Sequence, residues 1–168
     1  MQAKLSAIGH VALVTRDFAR LGSFYEDVFG AEVGARSAGD EAAGLGFIHV
    51  GDATLHVFER PEGPLGGIEV EHGSRAFERG RIDHVSLEAV DADAFVAVRE
   101  RLVVLGVSDG TVVDFGPLLS LFFVDPDGFE LEVSLRKPER WDPPFEVTPF
   151  EASRLAASPA ERRPRYAR

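Results

Sequence analysis

An α+β fold of two tandem β-α-β-β-β modules is predicted by three observations. The stretch "IGHVALVTRD" returns as "IDHVSLEAVD", with His10 and His84 standing 74 positions apart. A helix-period segment follows each copy, and each helix is followed by β-rich pieces divided by turn residues. The repeat matches Ile8 to Ile82, Val11 to Val85, Leu13 to Leu87 and Asp17 to Asp91.

Each copy opens as a strand. His10, Ala12 and Val14 alternate with Val11 and Leu13, as His84, Ser86 and Glu88 do with Val85 and Leu87. A helix comes next. In the first copy Asp17 is the cap, Leu21, Phe24 and Val28 form the apolar stripe, and Gly30 is the stop. In the second, Asp91 or Asp93 is the cap, Phe95, Val98, Leu102 and Leu105 form the stripe, and Gly106 is the stop.

Two hairpins follow, at 45 to 59 turning near Gly51-Asp52 and at 119 to 133 turning at Asp125-Pro126-Asp127-Gly128. Two extra residues in the second helix raise the offset to 76, which sets Phe47 on Phe123, Leu55 on Leu131, His56 on Glu132 and Val57 on Val133. The predicted organisation is one domain over 1–138, with modules at about 5–60 and 80–136 and a Gly- and Glu-rich link over 60–80. That link has the composition of a surface loop, with room for a short strand in "GGIEVEH". A Pro-rich extension over 139–168 completes the chain, and Trp141, Phe145 and Phe150 are its means of packing on the body or on a partner chain.

Composition excludes several classes of function. The 168 residues include no Cys, so disulfides, thiolate metal sites and a cysteine nucleophile are absent. A formal net charge of −10 argues against a nucleic-acid partner. The basic tail "ERRPRYAR" reads as a solvated terminus. No apolar run reaches the roughly 18 residues of a membrane span, and no signal-peptide core is present, so a cytoplasmic protein without membrane contact is expected. Neither a Gly-x-Ser-x-Gly motif nor a phosphate loop nor a dinucleotide Gly pattern occurs.

The repeat pairs His10 with His84 and His56 with Glu132. Two modules related by a pseudo-twofold axis would bring these four residues to a common centre. Three imidazoles and a carboxylate suit Zn, Fe(II), Mn, Co or Ni, and not Mg or Ca. An ion so held keeps open positions for substrate oxygens and can stabilise an enolate or an oxyanion. The competing role for any single strand His is a hydrogen-bonded core residue, yet Val and Leu occupy buried strands at lower cost.

Other polar residues carry less. Glu130 shares a strand face with Glu132 and is a reserve base, although its repeat mate is Thr54. Glu88 is placed to reach the mouth of a cavity. His49 reads as structural or exposed, His72 as solvated, and Tyr25 as packing.

The stretches "HVALVTRDFARLGSFYEDVFGAEV", "DHVSLEAVD" and above all "DPDGFELEV" resemble the vicinal oxygen chelate superfamily, which groups glyoxalases, bleomycin resistance proteins and extradiol dioxygenases. The resemblance spans about residues 5 to 136. It implies paired modules forming a half-open barrel around one divalent metal, within a homodimer. Carried over, the metal ligands are His10, His56, His84 and Glu132. His56 departs from the family, since glyoxalase I has Glu or Gln there and methylmalonyl-CoA epimerase has Gln. In an extradiol pattern His10, His84 and Glu132 suffice, which frees His56 for acid/base work.

The implied function is metal-dependent chemistry on a small oxygen-chelating substrate. Lyase or isomerase chemistry is slightly favoured over extradiol-type dioxygenation, with His56 and Glu130 as catalytic candidates. Two rival readings remain. One is a metal-free protein that sequesters an antibiotic between apolar strands through Phe47, Phe58, Phe122 and Phe123. The other is a subunit whose segment Trp141 to Phe150 serves assembly.

Overall fold

The computed structural model describes residues 7–34, 44–60 and 82–153. It forms two compact units, Met1–Gly66 and Gly67–Arg168. His72 and the short strand expected in "GGIEVEH" lie outside the described residues.

In the first unit, β1 (Val11–Thr15) leads through Asp17 into α1 (Phe18–Phe29), followed by β2 (Glu32–Val33), β3 (Gly44–Val50) and β4 (Ala53–Glu59). The Asp17 carboxylate accepts the N–H of Arg20 at 3.0 Å, satisfying a donor that the first helical turn leaves open. Gly30 ends the helix in the left-handed region, φ 64°. The sheet order is β1-β4-β3-β2, with β1 parallel to β4 and the other pairs antiparallel. Gly51 and Asp52 join β3 to β4 as a two-residue connection.

The second unit repeats this plan with β5 (Val85–Glu88), α2 (Ala92–Val104), β6 (Val112–Asp114), β7 (Leu118–Val124) and β8 (Glu130–Arg136). Its cap is Asp91, whose carboxylate accepts the N–H of Ala94 at 2.8 Å. The sheet runs β5-β8-β7-β6 and gains a fifth strand, β9 (Val147–Pro149), parallel to β6. The fold is therefore α+β with two β-α-β-β-β modules, each forming a mixed sheet. Among the described residues the strands pair within one sheet per module.

Burial explains both elements and register. Leu131, Val133 and Leu135 of β8 point to one face, where α2 packs with Phe95 and Leu102, while Glu130, Glu132 and Ser134 point to the other. Burying each of those large apolar side chains contributes about 1.5–3 kcal/mol. In the first unit α1 presents Phe18, Leu21, Tyr25 and Val28 to its sheet. Tyr25 is fully buried and acts in packing, as expected, whereas Phe24 is only half-buried and meets Tyr25 edge-on at 5.6 Å. Leu105 does not extend the α2 stripe, because the helix ends at Val104 and leaves it 39% exposed.

A second correction concerns the hairpins. Phe47 pairs with His56, but Glu132 pairs with Phe122 and not with Phe123. The connection from Val124 to Glu130 holds five residues where the first module has two, so one offset cannot serve both strands. A one-residue slip reverses the face of a strand residue. Phe123 accordingly lies fully buried among the core side chains, and Phe122 shares the face of Glu132.

Residues 139–153 are built into the second unit. Besides β9, they supply Phe145, which lies 6.2 Å from the Phe95 ring and under the Arg99 guanidinium at 4.5 Å. Phe150, in the short 3-10 turn Phe150–Ala152, packs on Val113 and Phe122.

Candidate functional site

In each unit the repeated His stands one residue ahead of its first strand, and that strand runs parallel to the last strand of the module. The registers correspond: Ala12 pairs with His56, and Ser86 pairs with Glu132. Within each unit the first-strand His therefore meets the last-strand residue of its own module, His10 against His56 and His84 against Glu132.

In the first unit His10 and His56 stack face to face, centroids 3.8 Å apart and planes 4° from parallel. The Phe47 ring meets His56 edge-on at 5.0 Å. In the second unit His84 Nε2 lies 2.8 Å from Glu132 Oε2, and Phe122 meets the His84 ring edge-on at 5.3 Å. The other imidazole nitrogen, Nδ1, is 2.9 Å from the Asp83 carboxylate. The Ser120 hydroxyl donates to the second oxygen of Glu132, and Ser86 donates to Ser134 at 2.9 Å on the same face.

These contacts set the charge states. The hydrogen bond with Glu132 raises the His84 pKa above its ordinary value, against the opposing effect of burial and with help from Asp83. Burial pushes Glu132 up, but hydrogen bonds from His84 and Ser120 outweigh it and hold the carboxyl below its usual range. His84 is thus held between two carboxylates, and its Nε2 and Glu132 Oε2 are donors that would suit a divalent cation.

The donors fit such an ion. An imidazole nitrogen beside a carboxylate oxygen suits a first-row transition metal, and a carboxylate on the far nitrogen is the usual support of a ligating His. Within either unit, among the described residues, no three His, Asp or Glu side chains form a ready-made ligand cluster. Each unit instead holds one pair.

The remaining candidates fall into place around these pairs. Glu130 opens β8, half-buried, two residues before Glu132 on the same face. His49 is exposed and pairs its Nδ1 with the Thr54 hydroxyl at 3.2 Å, a structural role. Glu88 accepts from Arg136 Nε at 2.7 Å in an exposed ion pair, which occupies it otherwise than at a cavity mouth.

Asp83 and Ser120 escaped the reading from sequence, which named Phe122 as an apolar lining residue without setting it beside His84. Asp83 had a visible signal, since "DHV" stands where the first copy has "GHV". The face taken by Ser120 and Phe122 depends on the β7–β8 register, which the length of the turn decides.

Sequence and structure comparisons agree on the family. The profile of the glyoxalase/bleomycin resistance protein/dioxygenase superfamily matches residues 7–133. No curated protein sequence matches the chain. A glyoxylase/bleomycin resistance protein/dioxygenase domain from Frankia sp. EAN1pec superposes with a TM-score of 0.64 at 22% identity, covering 82% of this chain and 96% of that one. The protein SMU.1112c superposes with a TM-score of 0.57 at 27% identity, covering 78% and 99%. A single-residue variant of the fosfomycin resistance protein FosX from Listeria monocytogenes, complexed with Mn(II) and 1S,2S-dihydroxypropylphosphonic acid, gives 0.58 at 17% identity, covering 80% and 95%. With its two β-α-β-β-β modules, its paired first- and last-strand residues and a family match over most of its length, this chain belongs to the glyoxalase/bleomycin resistance protein/dioxygenase superfamily.

Proposed function

We propose that this chain is a divalent-metal-dependent enzyme acting on a small substrate that presents two adjacent oxygens. His10, His84 and Glu132 are the metal ligands, and His56 takes the fourth place or carries a proton. The observation that carries this reading is the contact of His84 Nε2 with Glu132 at 2.8 Å while Asp83 holds Nδ1. Support for the substrate class comes from the FosX structure, whose ligand beside Mn(II) is a dihydroxy compound.

A divalent ion held by these residues supplies Lewis acidity toward a developing enolate or oxyanion. The chain itself supplies orientation and proton transfer. His56, which lies flat on His10, and Glu130, which shares the face of Glu132, would move the proton. Lyase or isomerase chemistry remains slightly favoured over ring-cleaving dioxygenation, and a homodimer is the proposed assembly.

Elemental analysis of protein purified without chelator tests the proposal, with about one Zn, Fe, Mn, Ni or Co per chain expected. His84→Ala should lose that metal and all activity while keeping its circular dichroism. Full metal occupancy in the variant would remove His84 from the ligand set, and a wild-type chain that takes up no metal would remove the enzyme reading.

The second reading, metal-free sequestration of an antibiotic, is favoured by the Phe47 and Phe122 rings set edge-on beside His56 and His84. Tight ligand binding that survives chelation distinguishes it.

A further inference from the structure

The pairs held by the two modules are unequal. His84 is held at both nitrogens, by Asp83 at 2.9 Å and Glu132 at 2.8 Å, and Glu132 is held at both oxygens, by His84 and Ser120. Every polar atom of this pair thus has a partner within its own unit. In the first module Gly9 stands where Asp83 does, so no carboxylate precedes His10, which rests instead on the flat face of His56.

A metal ion needs one lone pair from an imidazole, and which nitrogen offers it depends on what holds the other. With Asp83 accepting from Nδ1–H, an ion that displaces the proton between His84 and Glu132 would find the lone pair on Nε2, the nitrogen that faces Glu132. The Ser120 hydroxyl occupies one oxygen of Glu132, which leaves the other, Oε2, turned toward His84. Ser120 is almost wholly buried, and a buried hydroxyl is retained where its hydrogen bond has a purpose.

We propose that Asp83 and Ser120 are positioning residues: Asp83 fixes His84 as an Nε2 ligand, and Ser120 restricts Glu132 to coordination through one oxygen. The inference rests on the metal-binding reading above and deepens it. It makes the second module the preset half of the centre, the half that determines affinity.

The test uses the full chain with Zn(II) alone and Mn(II) alone as probes, in competition with a chromophoric chelator. Asp83→Ala is expected to weaken binding about 10–100-fold, the usual effect of removing such a support. Asp83→Asn should lose less, because the amide oxygen still accepts from Nδ1–H. In the Zn(II)-loaded protein, nitrogen NMR of the imidazoles should show His84 bound through Nε2 alone in the wild type and through both nitrogens in turn in Asp83→Ala. Ser120→Ala should alter the Mn(II) paramagnetic resonance spectrum as Glu132 becomes free to bind through two oxygens.

Melting temperatures of the metal-free variants separate positioning from folding. Affinities of Asp83→Ala and Ser120→Ala within about twofold of wild type would overturn the inference while leaving the metal centre in place. So would losses of affinity matched by equal losses of metal-free stability with unchanged spectra. A wild-type protein that binds neither ion would overturn the metal reading and this inference together.

Discussion

Replacing Asp125 by Asn is expected to stabilise the protein at neutral pH and to do nothing at acid pH. Asp125 begins the turn that delivers Glu132 to its place, and it is only 4% exposed. One carboxylate oxygen accepts the N–H groups of Asp127 at 2.9 Å and Phe129 at 2.8 Å. Burial nevertheless dominates and pushes the carboxyl from an ordinary 3.8 up to about 6, against the hydrogen bond from Phe129.

The sign follows from linkage. The folded chain holds the Asp125 proton more tightly than the unfolded chain, so this group's stabilising contribution is fully present below about pH 3.8 and is lost as pH rises through about 6. A shift of roughly two units corresponds to about 3 kcal/mol of stability lost between those limits. Asn keeps the accepting oxygen and removes the charge. The stability of Asp125→Asn relative to wild type should therefore be near zero at pH 4 and favour the variant by about 3 kcal/mol at pH 7.5. Urea denaturation of both proteins at several pH values measures this, and the difference between them cancels the opposite trends of Asp114 and Glu132, whose pKa values are lowered. A variant less stable than wild type at pH 7.5, or a difference that does not grow with pH, would refute the reasoning and show that the turn requires the charge.

Two further outcomes are expected. A Cβ on Gly46 would collide with the Phe18 ring, so Gly46→Ala should cost about 1–3 kcal/mol in thermal unfolding, and an unchanged melting temperature would contradict the seating of that ring. Phe145→Ala removes the contacts with Phe95, Arg99 and Trp141; a loss of about 1–3 kcal/mol is expected, with a red shift in the emission of Trp141, the chain's only tryptophan. Unchanged emission would mean that residues 139–153 are held by β9 and Phe150 without Phe145.

What could be read from the sequence was whatever local chemistry states twice. Asp17 and Asp91 cap, Gly30 takes the left-handed stop, and the alternation around His10 and His84 names strand faces, because each of these depends on neighbours within one helical turn or one pleat. The pairing of His10 with His56 and of His84 with Glu132 was not legible, because it depends on the first strand lying parallel to the last in each module, a long-range contact that the repeat does not declare. Legibility failed at Phe122 because a longer turn shifted one strand against an offset that elsewhere held. It failed for β9 because a strand with no counterpart in the first copy has no repeat to announce it.

The same physics separates ligands from their supports. Duplication left equivalent residues at four positions, and comparing the copies finds them. Asp83 and Ser120 exist in one copy only, opposite Gly9 and on a strand face that the turn decides, so a search for symmetry passes over them. Yet a pair of ligands without such supports must find its geometry anew with each ion, at an entropic cost, whereas a supported pair has already met that cost in folding. The asymmetry between the modules is thus where this chain departs from its own repeat, and the affinity of the proposed centre should follow the residues that the repeat does not contain.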